Sequence, residues 1–215
     1  MSEPRKTAPP ILVANLFPDI RTGLLEVLES LSPADWERPT AAPLWSVKDV
    51  ALHLLGGDLG NLSRRRDQFV RKASVAAHQD LVAFINNLND EWIRAARRLS
   101  PRALCDLLAF TGPQLAGYFA SLNPFDFSEP VSWAGPEPAP VWLDVAREYT
   151  EQWHHQQQIR DATGKPPLYQ PRYFAPVLDT FMRAAPHHYR DLVAPEATCI
   201  AIQITGEAGG QWFLH

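Results

Sequence analysis

Residues 147–164 read REYTEQWHHQQQIRDATG, and the rest of the chain is organised around this stretch. Its pattern predicts one amphipathic helix, in which side chains at i, i+3, i+4 and i+7 share a face. The following side chains therefore point together: Glu151, His154 or His155, and Gln158. A carboxylate and an imidazole four residues apart can bind one divalent ion, because both donor atoms reach the same point above the helix.

Two donors do not hold an ion, so a third ligand has to come from elsewhere. The best donor is His53, in a helix that begins at Trp45–Ser46 and carries the apolar residues Val47 and Leu54. His53 falls on the same apolar line, and a histidine facing a core needs a polar partner or a metal. Both roles stay open for His53. Glu148 lies one turn before the acid of the predicted site.

Length and composition set the class of protein. The chain has 215 residues, 46% of them hydrophobic, which suffices for one ordinary domain and a smaller second one. No apolar run approaches the roughly 18 residues of a membrane span, and the polar start MSEPRKTAPP lacks a signal-peptide core. A net charge of −4 gives no reason to expect nucleic acid or an anionic membrane as a partner. Cys105 and Cys199 form no CxxC motif, and we predict two buried small residues in a reducing cytoplasm.

Apolar periodicity predicts a mainly α-helical protein. The predicted helices are Pro18–Leu31, a helix capped by Ser46, Gln79–Leu99, a helix from Ser100–Pro101 to Leu122 with a break at Gly112–Pro113, and the helix from Trp142 to Gly164. The predicted buried faces are Ile20, Leu24, Leu28 and Leu31 in the first helix, and Leu81, Ile85, Leu88, Trp92 and Leu99 in the third.

The chain divides into three predicted parts. Residues 1–14 are a flexible arm, residues 15–168 a metal-binding helical bundle, and residues 169–215 a C-terminal α+β segment. That last segment is predicted to hold a short helix at Phe174–Ala184 and a hairpin at Ala197–Leu214. A lone hairpin is marginal in water, so the segment can be the beginning of a longer domain. Asn123–Pro140 is predicted as a long irregular, aromatic stretch that packs over a cavity.

The remaining motifs give weaker indications of a functional site. The basic run Arg64–Arg66 with Arg71 and Lys72 is predicted to be a solvated helix end, and an anion-binding role is the alternative. His187–His188 is predicted to lie on the surface, because no acid precedes it at helical spacing. GEAGG lacks the Lys-Ser/Thr of a phosphate loop, and neither GxSxG nor HExxH occurs.

Two segments resemble a known family. Trp45-Ser46-x-x-Asp49-x-x-x-His53-Leu54 resembles the W-[ST]-x-x-D-x-x-x-H-L signature of the mycothiol-dependent maleylpyruvate isomerase family. Glu151-x-Trp153-x-His155-x-x-Gln158, with Ala162-x-Gly164 closing the helix, is similar to a second motif of that family. The resemblance covers roughly residues 15 to 215.

The resemblance implies a DinB/YfiT-like four-helix bundle with a small C-terminal α+β segment. It implies that a metal is held by His53, Glu151 and His155, with His154 as the alternative histidine. Gln158, Glu148 and His154 are candidates to lie just behind the ligands. The family commonly has Asp where Gln158 stands, and we can place no counterpart of the arginine that its second domain contributes.

The implied ligands suit Zn²⁺, although two imidazoles and a carboxylate also admit Ni²⁺, Fe²⁺ or Mn²⁺. The resemblance favours an enzyme whose metal activates a low-molecular-weight thiol, such as mycothiol, for isomerisation or transfer on a small electrophilic substrate. A metal-dependent hydrolase and a non-catalytic, stress-related metal-binding protein are the alternatives. The expected partners are a small-molecule substrate and a thiol, without nucleic acid or membrane, and the expected state is a cytoplasmic monomer or homodimer.

Overall fold

The computed structural model describes residues 8–69, 81–195 and 197–215, with the side chains of residues 81 and 82 left out. Most of the predicted N-terminal arm, the basic residues Arg71 and Lys72, and the predicted helix start at Gln79 lie outside the described residues. The predicted fold class, a mainly α-helical protein with a small C-terminal α+β segment, is confirmed.

The helices form most of the ordered chain. Their bounds are α1 (Phe17–Glu29), α2 (Val47–Gly60), α3 (Leu81–Ala96), α4 (Pro101–Ser121), α5 (Val141–Thr163), α6 (Pro171–Met182) and α7 (Ala185–His188). A π-helical segment, Asn61–Arg66, continues α2. The strands are β1 (Phe127–Pro130), β2 (Pro138–Pro140), β3 (Ile200–Ile204) and β4 (Gly210–Leu214).

The chain separates into two compact units. We call Leu16–Ser121 with Glu151–Leu168 the bundle unit, and the remainder, including Leu122–Thr150 and Tyr169–His215, the C-terminal unit. Helix α5 begins in the C-terminal unit and ends in the bundle unit. The predicted boundaries at residues 14 and 168 stay a prediction.

An apolar core holds the bundle unit together. Helix α4 contacts both α1 and α2, and α3 contacts α2. The predicted face of α1 is confirmed for Ile20, Leu24 and Leu28, which are buried, whereas Leu31 follows the end of the helix and is partly buried. Trp36 and Ile159 join the same buried cluster. Burial of such side chains is the dominant favourable term in folding.

Helix α2 begins at a capping box. The Ser46 hydroxyl accepts a hydrogen bond from the Asp49 backbone, and the Asp49 carboxylate accepts one from the Ser46 backbone. Arg97 donates two hydrogen bonds, of 2.8 and 2.9 Å, to the same carboxylate. Burial raises the pKa of Asp49, but the hydrogen bonds from Arg97 and Ser46 outweigh it and hold that pKa below its usual value.

We expect Asp49→Asn to reduce stability by about 1 kcal/mol at neutral pH, the usual contribution of a helix cap. Because the pKa of Asp49 is lower in the folded state, its contribution is present above the unfolded pKa of about 3.9 and lost as pH falls through the folded pKa. The difference in unfolding free energy between wild type and variant should therefore shrink between about pH 5 and pH 3. Urea unfolding at both pH values measures it, with exposed Asp106→Asn as control. An equal difference at both pH values would contradict this role.

The predicted buried face of α3 is partly wrong. Ile85 and Leu88 are 46% and 47% exposed, whereas Ile93 and Ala96 are buried and Trp92 packs against the core. The apolar spacing indicated a buried stripe along the whole helix. Among the described side chains of α3, burial is concentrated at the C-terminal end, and the predicted buried side chain of Leu81 lies outside them.

The predicted break in α4 is also wrong, because α4 continues through Pro113. A proline inside a helix removes one backbone donor, and packing can keep the helix continuous around it. Gly112 has a different role. A Cβ atom there would lie 2.7 Å from Cγ of Arg21, so the glycine allows that side chain to pack directly on α4.

The C-terminal unit contains two short antiparallel sheets. The stretch predicted to be irregular, 123–140, contains β1 and β2, which pair with each other. The predicted hairpin is confirmed, with Ile200 opposite Leu214 and Ile204 opposite Gly210. Cys199 is exposed and only Cys105 is partly buried, so the prediction of two buried cysteines is wrong for Cys199. Among the described residues, no helix is both long and apolar enough to cross a bilayer.

Candidate metal centre

Three of the predicted ligands meet in the bundle unit. One donor atom from each of His53, Glu151 and His155 lies within 4.8 Å of the others. Nε2 of His53 is 3.1 Å, and Nε2 of His155 2.9 Å, from the same oxygen, Oε1 of Glu151. The rings of the two histidines are 4.6 Å apart between centroids and meet edge to face. Two imidazoles therefore converge on one carboxylate.

Helix geometry explains why Glu151 and His155 lie together. Glu151 and His155 are four residues apart on α5, so their side chains share one face. His53 comes from α2, about two turns after its capped start at Ser46. The side chains of His53 and His155 are 14% and 12% exposed, whereas that of Glu151 is 47% exposed. The site therefore opens to solvent on the side of the carboxylate.

Glu151 is ionised at neutral pH. Burial of its carboxylate raises the pKa of Glu151, but the hydrogen bonds and charge of His155 and His53 lower it more. The net result is a pKa far below the ordinary value for glutamate. A carboxylate binds metal in its deprotonated form, so the site supplies the required charge state.

Gln158 orients one imidazole. Its Oε1 accepts a hydrogen bond of 2.8 Å from Nδ1 of His155, and its amide donates one of 3.2 Å to Nε2 of His154. Because Nδ1 of His155 is occupied in this way, Nε2 is the nitrogen left for an ion. A carbonyl partner on the far nitrogen is a common support for a metal-binding histidine. Gln158 thus offers an uncharged oxygen to this nitrogen.

His154 lies outside the three-residue cluster. Its ring centroid is 5.6 Å from that of His155, and its exposed side chain bonds to Gln158 instead of Glu151. Burial lowers the pKa of His154, and the neighbouring charge of His155 lowers it further. The structure therefore favours His155 where the helical spacing left both histidines open.

Trp45 covers the two imidazoles. Its ring centroid lies 4.8 Å from that of His53 and 6.1 Å from that of His155. In the sequence, Trp45 is the first residue of the motif that contains His53. Its position eight residues before His53, at the entry to α2, was the available signal for a contact.

A buried polar network behind the site was not predicted. The guanidinium of Arg21 donates to Oδ1 of Asp58 at 2.7 Å, and Thr111 donates to Oδ2 at 2.5 Å. Gln152, the neighbour of Glu151, donates to the same Oδ1 at 3.3 Å. The network joins α1, α2, α4 and α5, so it ties the helix of His53 to the helix of Glu151.

The other candidate residues are not members of the cluster of His53, Glu151 and His155. Glu148 belongs to the C-terminal unit and forms an ion pair with Arg147. His187, in α7, interacts with Arg190. Arg66, at the end of the π-helical segment, is exposed and donates to Gln114 and Asp67, in agreement with a solvated helix end.

The three side chains fit a divalent ion. Zn²⁺ forms bonds of about 2.0–2.2 Å to histidine nitrogen and carboxylate oxygen, which places its ligands roughly 3–4 Å apart. The two N···O separations of 3.1 and 2.9 Å lie close to this range. Catalytic zinc sites commonly have three protein ligands and keep one position open, and the exposure of Glu151 leaves this cluster accessible to solvent on one side.

Comparison with known proteins identifies the family. The model of the mycothiol maleylpyruvate isomerase N-terminal domain matches residues 17–160, about two thirds of the chain. The chain belongs to this family. The resemblance predicted from the two sequence motifs is thereby confirmed. The match to the mycothiol maleylpyruvate isomerase N-terminal domain family includes all three clustered residues and Gln158.

A solved structure is also similar. It is the crystal structure of a mutant of the mycothiol-dependent maleylpyruvate isomerase, with 13% sequence identity and a TM-score of 0.49. The match covers 78% of this chain and 65% of the solved one, so the chain spans less than two thirds of that relative. No curated protein matches the chain significantly.

Proposed function

We propose that this protein is a metal-dependent enzyme that uses a low-molecular-weight thiol to isomerise a small unsaturated acid of the maleylpyruvate type. The observation that supports the proposal is the convergence of His53, Glu151 and His155 within a chain of the mycothiol maleylpyruvate isomerase N-terminal domain family. Transfer of the thiol to a small electrophile is the closely related reaction that the same site could support.

The ion of this proposal is Zn²⁺, held by the two imidazoles and the carboxylate. Ni²⁺, Fe²⁺ and Mn²⁺ accept the same donor set, and metal analysis distinguishes them. Glu151 contributes one negative charge, which partly offsets the charge of the ion. Gln158 holds the ring of His155, and Trp45 covers the imidazoles on one side.

The thiol of this proposal comes from a small molecule, because the chain offers no suitable cysteine at the site. Burial raises the pKa of Cys105, so its sulfur stays protonated at neutral pH. Neither cysteine of the chain belongs to the cluster of potential ligands in the described residues. A bound divalent ion supplies the missing activation, since it stabilises a thiolate at neutral pH.

The reaction needs no protein nucleophile. When bound, the thiol would supply the sulfur nucleophile whose reversible addition to the conjugated double bond permits rotation. The chain's own residues position the thiol and exclude water from the covered side of the imidazoles. A mechanism in which the small thiol is the nucleophile agrees with the absence of a GxSxG or HExxH motif from the sequence.

The deciding experiment combines metal analysis with an isomerase assay. The protein is purified without added metal, its metal content is measured, and isomerisation of maleylpyruvate is followed with and without mycothiol. We expect nearly one divalent ion per chain and activity only with the thiol. Glu151→Gln should lose both, because an amide is a weaker ligand than a carboxylate. Glu26→Gln, an exposed acid on α1, is the matched control and should retain both.

Other results would contradict the proposal. Hydrolysis that proceeds without thiol would favour the metal-dependent hydrolase. Bound metal without any thiol binding would favour a non-catalytic metal-binding protein. Cytoplasmic location, the choice between monomer and homodimer, and the role of residues 169–215 as a separate α+β segment remain predictions.

A further inference from the structure

A cleft opens beside the candidate metal centre, between α2 and α3. It has a volume of about 350 Å³. Its lining residues are His53, Gly56, Leu59, Gly60, Leu88, Asn89 and Trp92. Because His53 forms part of the wall, a molecule in this cleft lies next to a proposed ligand of the ion.

The indole of Trp92 is held firmly in the cleft wall. Its Nε1 donates a hydrogen bond of 2.7 Å to the carbonyl oxygen of Leu52 on α2. A Cβ atom at Gly56 would lie 2.6 Å from that nitrogen, so the glycine is needed for this close approach. Leu59 and Leu88 are 40% and 47% exposed and border the same space. The cleft therefore offers an aromatic surface and two aliphatic edges.

The polar residues of the cleft continue into a neighbouring one. Asn89 lines both, and the second cleft, of about 320 Å³, also contains Asn86, Asp90 and Trp45. Amide and carboxylate groups beside indole rings are suited to a neutral ligand that carries hydroxyl or amide groups. Among the described residues that line the two clefts, none is a lysine or an arginine. Two described cations, Arg94 and Arg97, line a third cleft that shares Trp45 and Asp90 with the second one.

We propose that these two clefts bind the uncharged, hydroxyl- and amide-bearing body of the low-molecular-weight thiol. The His53 end of the first cleft would receive the sulfur of that thiol, whose proton would pass to solvent on binding. The acidic substrate approaches from the exposed side of Glu151. This inference rests on the proposed function and adds the binding site of the thiol to it.

Two glycines of α2 provide a matched test. Gly57 and Gly60 are both exposed, and a Cβ atom on either would meet nothing within 4 Å. Only Gly60 lines the cleft. The substitutions Gly60→Leu and Gly57→Leu therefore change helix propensity alike, but only the first fills the proposed thiol site.

The experiment uses the full chain loaded with Co²⁺, in which thiolate binding produces a charge-transfer absorption band. Titration with mycothiol gives its Kd, and titration with 2-mercaptoethanol gives that of a thiol without a polar body. We expect Gly60→Leu to raise the Kd of mycothiol about tenfold or more, as for a pocket that loses its fit. Gly57→Leu should stay within about twofold of wild type, and 2-mercaptoethanol should bind all three proteins alike.

The outcomes separate this inference from the proposed function. If wild type and Gly60→Leu bind mycothiol equally, or if Gly60→Leu weakens both thiols equally, the cleft assignment is overturned and the proposed function stands. If the wild type binds neither thiol, both fail. Asn89→Leu, which removes the amide shared by both clefts, is a second variant should Gly60→Leu not fold. It should likewise weaken mycothiol alone.

Discussion

Asp58→Ala is expected to lower the free energy of unfolding by about 3–5 kcal/mol, the usual cost of removing one partner from a buried ion pair. The side chain of Asp58 is fully buried and that of Arg21 is 7% exposed. Within the described residues, Nε and Nη1 of Arg21 have no hydrogen-bond partner. Without Asp58 the guanidinium keeps only the 3.5 Å contact to Gln152 and becomes a nearly uncompensated buried charge.

Urea unfolding measures this effect, and a double-mutant cycle with Arg21→Met, Asp58→Leu and their combination assigns it to the pair. Arg21→Met combined with Asp58→Leu removes both charges and should recover much of the lost stability, since apolar replacements of a buried pair are often tolerated. Asp67→Ala breaks the exposed pair with Arg66 and should leave stability unchanged. A double variant no more stable than Asp58→Ala would show that the charge of Arg21 is not the cause.

His155→Ala is expected to weaken metal binding by about a hundredfold or more, whereas His154→Ala should leave it nearly unchanged. Four-ligand zinc sites bind with about 10–16 kcal/mol, so one ligand accounts for roughly 3 kcal/mol. The two histidines are neighbours on α5, but Nε2 of His155 faces Glu151 and Nε2 of His154 faces Gln158. Comparing the two variants therefore tests which of these neighbouring histidines binds the ion.

Competition with a chromophoric chelator measures the affinity of each variant. Gln158→Ala should reduce it about tenfold, because loss of a supporting hydrogen bond to a ligand histidine costs 10–100-fold in metal affinity. Equal losses in His154→Ala and His155→Ala would mean that both rings bind the ion. Unchanged affinity in His155→Ala would remove this residue from the site.

The local elements were predictable because their causes lie within a few residues. Ser46 and Asp49 mark the start of α2, and both ends of a capping box are visible in the sequence. Gly164 has a φ of +64°, a backbone conformation that favours glycine, and it ends α5 where predicted. The alternation of the C-terminal hairpin likewise indicated β3 and β4.

The wrong predictions concern contacts between distant residues. Ile85 and Leu88 have the spacing of a buried stripe, but both are exposed. Helical spacing shows which residues share a face, and it does not show whether another segment packs against that face. Pro113 stays within α4, although local rules indicated a break. The network of Arg21 and Asp58 gave no signal, because isolated charged residues usually indicate solvent exposure.

By itself, the sequence determined that Glu151 and His155 share a face, because four residues are close to one helical turn. It also determined the family, through short motifs around His53 and Glu151 that the family match confirms. The tertiary structure decided that His53 reaches Glu151, although the two are 98 residues apart in the chain. It also decided that His155, and not His154, contacts Glu151. The reason is that the packing of α2 and α5 sets their relative rotation, and a turn of either helix would point a different side chain at the site.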